Sequence, residues 1–143
     1  MDLKDYIVFA KENPLCSLAT LDGDQPRVRT FWFWFADENG FHFETLAMKK
    51  VFKQLKKHPK VEVCFFNNTA EPENWKSMRI TGKVEFLDDM ALKEKLFVDL
   101  PMLQNIGKPE DPVFQIFRIN SGEAHFWTLA NAGQEQHIER IKF

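Results

Sequence analysis

Apolar and polar residues alternate along the chain with two periods, and these periods predict its helices and strands. Leu3, Tyr6, Ile7 and Ala10 fall on one helical face, which predicts a helix over Asp2–Asn13. Period-two alternation and short apolar runs predict six or so strands. These cover Leu15–Leu21, Arg27–Phe35, Phe41–Thr45, Val61–Phe66, Trp75–Leu87 and a final hairpin of Val113–Asn120 and Glu123–Leu129 across Ser121-Gly122.

The middle of the chain contains a second, amphipathic helix. Four apolar residues stand there at i, i+3, i+4 and i+7 and form one stripe: Met48, Val51, Phe52 and Leu55. We expect this helix to end at His58-Pro59, because a proline disfavours helical geometry in the residue before it.

A third helix is predicted after Asp88-Asp89, which can cap it, and its apolar face continues up to Pro101. Most of the strands are joined by short turns, which favours an antiparallel sheet or barrel with helices at its ends. We therefore expect one α+β domain over residues 1–143, an antiparallel six-stranded β-barrel with flanking helices.

The second helix begins with charges of the unfavourable sign. Exposed N–H groups and the macrodipole at a helix N-terminus favour negative charge. The first turn instead carries Lys49 and Lys50, and Thr45 is the last good capping residue upstream. A bound anion such as phosphate would remove the conflict. The alternative is a solvated basic face, since lysines continue along the helix.

The second predicted strand has large rings on both faces. In Thr30–Phe35, alternation places Phe31, Phe33 and Phe35 on one face and Trp32 and Trp34 on the other. A barrel buries only its inner face, so something should cover the two tryptophans: a helix, a flat ligand or a second subunit. Arg27 and Arg29 share the phenylalanine face, and burial of either would imply an anionic partner.

Charge and cysteine content narrow the function classes. The net charge of −2 argues against general nucleic-acid binding, which favours strongly basic domains. Cys16 and Cys64 stand singly in strand-like runs without metal-ligand spacing, which indicates reduced thiols in a cytoplasmic protein. No signal peptide or membrane-length apolar run is present, so we expect no membrane contact.

The usual catalytic motifs are missing from the chain. There is no G-x-S-x-G, H-E-x-x-H, P-loop or G-x-G-x-x-G. The four histidines are scattered, and Glu71 and Glu73 in one loop are a weak paired-carboxylate candidate. No metal site is predicted. If the protein is an enzyme, we expect a bound cofactor to supply the chemistry.

Several segments, in this order and spacing, resemble one family. They are Leu15–Leu21, Q-P-R-V-R-T-F, F-H-F-E-T-L-A-M-K-K-V-F-K-Q-L-K-K-H-P-K-V, R-I-T-G-K-V-E-F-L and the closing A-H-F-W-T. Together they resemble the FMN-binding split barrels, relatives of pyridoxamine 5'-phosphate oxidase, and especially the small general-stress-protein branch. The resemblance covers nearly the whole chain. It implies a split β-barrel and a homodimer with two FMN molecules at the subunit interface.

The resemblance also implies a cofactor site. Members of the family bind the flavin phosphate with an arginine of the second strand and residues at the start of the following helix. The matching positions here are Arg29, Thr45, Lys49 and Lys50, and Thr30 and Leu46 belong to the same candidate site. In the oxidase, a tryptophan of an E-F-W segment contacts the flavin, and H-F-W places Trp127 there.

The chain also departs from the oxidase pattern. The oxidase has serine-arginine where Lys49-Lys50 stand and a lysine where Trp34 stands, and its R-L-H substrate signature is absent from Leu129–His137. The resemblance therefore implies an FMN-dependent oxidoreductase or flavin reductase acting on an unknown small molecule, rather than a vitamin B6 oxidase. The alternatives are a non-catalytic flavin-binding or flavin-buffering stress protein, and a haem or deazaflavin binder on the same barrel.

Overall fold

The computed structural model describes residues 1–143, which form three α-helices and eight β-strands. The helices are α1 (Leu3–Glu12), α2 (Lys50–Lys57) and α3 (Met90–Asp99). The strands are β1 (Leu15–Asp22), β2 (Gln25–Trp32), β3 (Phe35–Asp37), β4 (Gly40–Leu46), β5 (Lys60–Phe66), β6 (Lys76–Leu87), β7 (Phe114–Thr128) and β8 (Ile141–Lys142). Short 3-10 helices occupy Pro72–Asn74, Pro101–Asn105, Leu129–Asn131 and Glu135–His137.

All eight strands belong to one antiparallel sheet. Its order is β2-β1-β5-β6-β7-β4-β3, with β8 paired to β7. The predicted α+β class is confirmed. The predicted count of six strands is not confirmed, because the sheet has eight. The sheet has two ends, β2 and β3, and does not close into a ring.

The predicted strand Arg27–Phe35 is two strands joined by a short crossing segment. Phe33 N donates to Pro14 O at 2.7 Å, beside β1, and Trp34 N donates to His42 O at 3.3 Å, beside β4. The chain thus passes from one end of the sheet to the other within two residues. Phe31 and Phe33 face the core as predicted, but Phe35 does not: its ring stacks on His42 at 4.1 Å.

The predicted hairpin at Ser121-Gly122 is wrong, because β7 runs straight through these residues. Along β6 and β7, Gly82 pairs with Gly122 and Val84 with Ile119, so β7 carries one extra residue here. Phe117 and Ile119 are buried before this bulge and Ala124 and Phe126 after it, so the alternation changes phase. A side chain at Gly122 would collide with Thr81 O, so the glycine permits close strand contact rather than a turn.

The strands enclose a main core of 20 buried residues. Phenylalanine rings dominate its centre: Phe43 stacks on Phe117 at 5.4 Å, and Phe33 meets Phe65 edge to face at 5.4 Å. Outside the sheet, α3 and the following 3-10 helix cover a smaller set of buried residues, which we call the outer cluster: Leu96, Leu103, Phe114 and Ile116. Trp34 packs against this outer cluster.

The helices begin and end close to their predicted limits, with one difference. The caps of α1 are Asp2 and Asn13, the two limits of the predicted helix, and Asp89 caps α3 as the sequence predicts. α2 begins after Lys49, which supplies no side-chain capping bond. Met48 therefore precedes the helix and is exposed, so it does not belong to the apolar stripe.

None of the three helices is long and apolar enough to cross a membrane. Cys16 is buried and Cys64 half-buried, and both are free thiols. Burial raises the pKa of Cys16 to about 12, which makes it unreactive near neutral pH.

Candidate functional site

A cleft of about 460 Å³ lies between β2 and the start of α2. It is lined by four cationic side chains, one carboxylate and three other residues: Arg27, Arg29, Lys49, Lys50, Asp22, Val28, Val51 and Gln54. The strand β2 supplies the arginines by its alternation, and the first turn of α2 supplies the lysines. The cleft therefore brings together three of the residues that the sequence predicted for phosphate binding, namely Arg29, Lys49 and Lys50.

Arg29 is half-buried and holds the floor of the cleft. Its Nη1 donates to Leu18 O at 3.1 Å and to Thr20 Oγ1 at 2.8 Å, and its Nη2 donates to Gln54 Oε1 at 2.6 Å. All three acceptors are neutral. Burial lowers the pKa of Arg29, and the nearby charge of Arg27 lowers it further. The guanidinium is thus fixed in orientation without a negative partner, which is the condition in which an anion binds best.

The two lysines at the start of α2 also lack a carboxylate partner, since neither forms an ion pair in the chain. Arg27, by contrast, pairs with Asp22 at 3.4 Å. Burial raises the pKa of the half-buried Glu44 carboxyl, and Lys49 opposes that rise without forming an ion pair with it. The cleft therefore carries a net positive charge next to the N–H groups of a helix start.

Three other predicted site residues do not line this cleft. Thr45 is only 1% exposed, and its hydroxyl has no hydrogen-bond partner in the chain. Leu46 packs against the outer cluster. Thr30 is exposed on β2 opposite Ser17. Thr45 was the last capping candidate upstream of α2, but no side chain caps this helix.

Trp127 lies on a different part of the sheet. It stands on β7 opposite Ser77, and its ring meets Trp75 at 4.9 Å. Between β2 and β7 there are four steps of the sheet, each of about 4.8 Å. Trp127 is not one of the residues that line the cleft.

Sequence reasoning missed two polar residues that shape the cleft. Gln54 and Thr20 are both buried, and Thr20 Oγ1 donates to Gln54 Oε1 at 2.6 Å. A signal was present, because Gln54 follows Val51 by three residues on the buried helical face, and Thr20 follows Cys16 and Leu18 on the inward face of β1. Buried polar residues need partners, and here the partner is Arg29.

The histidines lie outside the cleft. His42 Nδ1 is 3.1 Å from Gly40 O, and His125 Nδ1 is 3.0 Å from Arg140 Nη1. Burial is the main cause that lowers the pKa of both rings, so both are neutral near pH 7. The chain holds no group of three or more His, Cys, Asp or Glu residues placed to bind a metal ion.

Apolar side chains on the outer face of β1, β2 and β5 are left uncovered by the chain. The register places Leu15 opposite Trp32 and Ala19 opposite Val28. Trp32 is 59% exposed. We call the following residues the exposed face: Leu15, Val28, Trp32 and Phe66.

A comparison with known protein families identifies the family of the chain. A family model described as pyridoxamine 5'-phosphate oxidase matches residues 5–128, which is most of the chain. The chain belongs to the pyridoxamine 5'-phosphate oxidase family. The resemblance read from the sequence is thereby confirmed.

Several solved structures are similar to this chain over nearly its whole length. A nimc/nima family protein from Clostridium acetobutylicum is 29% identical, with a TM-score of 0.79 over 99% of this chain and 93% of that one. General Stress Protein 26 from Bacillus anthracis is 19% identical, with a TM-score of 0.74 over the full length of both chains.

A third similar structure is HutZ, the heme storage protein from Vibrio cholerae. It is 16% identical, with a TM-score of 0.68 over 90% of this chain and 95% of that one. At this identity the likeness concerns the fold alone. A comparison with curated protein sequences found no significant match.

Proposed function

We propose that this protein is an FMN-binding flavoprotein whose cleft between β2 and α2 holds the flavin phosphate. The observation that carries the proposal is the set of cations without carboxylate partners: Arg29, Lys49 and Lys50. An isolated positive cluster of this kind is unfavourable unless an anion neutralises it. Membership in the pyridoxamine 5'-phosphate oxidase family supports flavin over other phosphate compounds.

The residues of the cleft fit a phosphate group. Arg29 is held by Leu18 O, Thr20 and Gln54, so its orientation is set before a ligand arrives. Lys49 and Lys50 are exposed and add two ammonium groups beside the helix N–H donors. FMN, when bound, would supply electron transfer, and the protein would bind and orient it.

We propose an oxidoreductase or flavin reductase rather than an oxidase of vitamin B6. The segment Leu129–His137 lacks the R-L-H signature and forms two short 3-10 helices. We expect no useful oxidation of pyridoxine phosphate or pyridoxamine phosphate by the FMN-loaded protein. Hydrogen peroxide release with either compound measures this, and steady release would contradict the proposal.

The exposed face supports a second part of the proposal, a homodimer. Leaving several large apolar side chains in water is costly, because burial of each contributes about 1.5–3 kcal/mol. The face includes Trp32 and Phe66, and aromatic residues of this kind are enriched in subunit interfaces. A second copy would also bring Trp127 towards the flavin of its partner, which one subunit alone does not do.

The experiment that tests the cofactor compares FMN with riboflavin. Fluorescence titration of the flavin-free protein should give at least about tenfold tighter binding of FMN, because each charged hydrogen bond to phosphate contributes about 1.5–3 kcal/mol. Equal affinities would contradict the phosphate assignment.

The visible spectrum of the freshly purified protein tests the cofactor class. Flavin absorption is expected, and a haem Soret band would contradict FMN as the resident cofactor. No histidine lines the cleft, which does not favour haem there. Turnover of NADH or NADPH by the FMN-loaded protein separates a catalytic flavoprotein from one that only stores flavin.

A further inference from the structure

A second cleft lies on the other side of α2, between that helix, the end of β6, the start of α3 and the start of β7. Its volume is about 350 Å³. Six of its lining residues are Lys56, Phe86, Leu87, Asp88, Lys93 and Gln115. None of these residues lines the cleft proposed for FMN. The two clefts are therefore separate, although α2 borders both.

Lys93 is the unusual residue of this second cleft. It lies on the inner face of α3 and is only 7% exposed. Lysine is rarely buried unless it is paired. Lys93 nevertheless forms no ion pair and no side-chain hydrogen bond within the chain. The aliphatic stem is buried, whereas the Nζ keeps contact with solvent at the cleft, because it is not one of the buried side-chain atoms that lack a hydrogen bond. An oxyanion in the cleft would give this ammonium the acceptor that the chain does not supply.

Lys56 places a second positive charge at the same cleft. Its Nζ lies 5.2 Å from the centre of the Phe86 ring and 5.9 Å from that of Phe52, so the rings orient the ammonium. It also lacks a carboxylate partner. Asp88 is the single acid among the lining residues, and it pairs with neither lysine.

The remaining wall combines apolar surface with one amide. Phe86 and Leu87 form the apolar part. Gln115 is fixed by donation from its Nε2 to Pro112 O at 2.6 Å. Two cations beside an aromatic ring suit a ligand that has an oxyanion attached to a small apolar body.

We propose that this second cleft binds a small organic oxyanion, with the phosphate or carboxylate between Lys56 and Lys93 and the apolar part against Phe86. Phosphate monoesters and carboxylates share this recognition chemistry, because both accept charged hydrogen bonds from lysine. The two clefts share no lining residue, so this proposal does not depend on whether the first cleft binds FMN.

The test uses phenyl phosphate, benzoate and inorganic phosphate as probes. Binding is followed by NMR through the side-chain amide of Gln115, in the variant Lys49→Glu with Lys50→Glu so that the first cleft does not compete. Phenyl phosphate or benzoate should shift the Gln115 signals in a saturable way, and inorganic phosphate should bind more weakly because it lacks the apolar part.

Substitution of the lysines identifies the site. Lys93→Met keeps an unbranched apolar stem but removes the charge, and it should weaken binding of the organic probe about tenfold or more. Lys56→Met, at an exposed position where folding is not at risk, should also weaken binding. Lys57→Met removes a neighbouring exposed charge of α2 and should leave the affinity unchanged. Asp88→Asn should tighten binding, because it removes the one repelling charge.

Three results would overturn the proposal. The first is the absence of a saturable Gln115 shift with both organic probes at millimolar concentration. The second is equal affinity in Lys56→Met, Lys57→Met and the parent protein, which would show diffuse attraction to a basic helix. The third is equal binding of inorganic phosphate and phenyl phosphate, which would exclude the organic ligand class.

Discussion

The outer cluster and the exposed face are two parts of the outer surface of one sheet. The chain covers the first with a helix and leaves the second exposed. Trp34 packs under α3, where its Nε1 donates to Asp99 Oδ2 at 2.8 Å and Lys95 Nζ lies 5.0 Å from its ring. Trp32, two residues earlier, is 59% exposed. A helix therefore covers Trp34, and no helix covers Trp32.

This difference separates two roles of apolar surface. The outer cluster is completed within the chain, so its residues should determine folding stability. The exposed face is complete only when something else covers it, so its residues should affect assembly and have little effect on the stability of one subunit. The basic cleft borders β2, and we expect its residues, like those of the exposed face, to have little effect on the stability of one subunit.

The largest expected effect is on cofactor binding. Lys49→Glu combined with Lys50→Glu should remove about 3–6 kcal/mol of FMN binding free energy, since two charged contacts are lost. Folding stability should hardly change, because neither lysine has a partner in the chain. Isothermal titration and urea unfolding measure the two quantities.

The matched control for that variant is Lys53→Glu combined with Lys57→Glu, two exposed lysines of the same helix. It changes the net charge equally and should retain FMN binding. Equal loss in both variants would mean that the overall charge of α2, and not the cleft, attracts the ligand.

The second effect should appear in folding. Phe114→Ala removes a fully buried ring that meets Phe97 at 4.8 Å in the outer cluster. We expect the free energy of unfolding to fall by about 3–5 kcal/mol, measured by urea denaturation. Val28→Ala on the exposed face is the control and should change it by less than about 0.5 kcal/mol. Similar losses at both positions would remove the distinction between the two regions.

The third effect concerns assembly. Trp32→Ala should weaken the dimer by about 2 kcal/mol, as expected for an aromatic residue at the centre of an interface. Analytical ultracentrifugation measures the dimer dissociation constant, with and without FMN. FMN should tighten the dimer of the unmodified protein, and Trp127→Ala should reduce that coupling. A stable monomer at micromolar concentration would contradict the interface.

The smallest effect is a pH dependence at the outer cluster. Hydrogen bonds from Lys95, at 2.6 Å, and from Trp34 lower the pKa of Asp99. A lowered pKa in the folded state stabilises the protein above about pH 3.9, the unfolded value, and this contribution is lost as the pH falls through the folded value.

Asp99 is partly exposed, so solvent screening should keep the contribution under about 1 kcal/mol. Asp99→Asn should therefore reduce stability slightly at pH 7 and make no difference at strongly acidic pH. Thermal unfolding measured across the acid range tests this. A constant difference at every pH would show that the carboxylate charge has no role.

Local patterns in the sequence were enough to predict several parts of the molecule. The capped helix α1 and the strands β1, β4, β5 and β6 follow from spacing and alternation, which depend on neighbouring residues only. The lysines at the start of α2 were visible as a local electrostatic conflict, and the structure places both in one cleft with Arg29.

Only the tertiary structure decided which apolar faces are covered and how the long strand runs. Trp32 and Trp34 have the same local pattern, and their difference depends on Asp99, 65 residues away from Trp34. The bulge in β7 depends on the contact between Gly122 and Thr81. The orientation of the Arg29 guanidinium depends on its hydrogen bond to Gln54. These contacts join residues distant in the chain, so local periodicity contains no information about them.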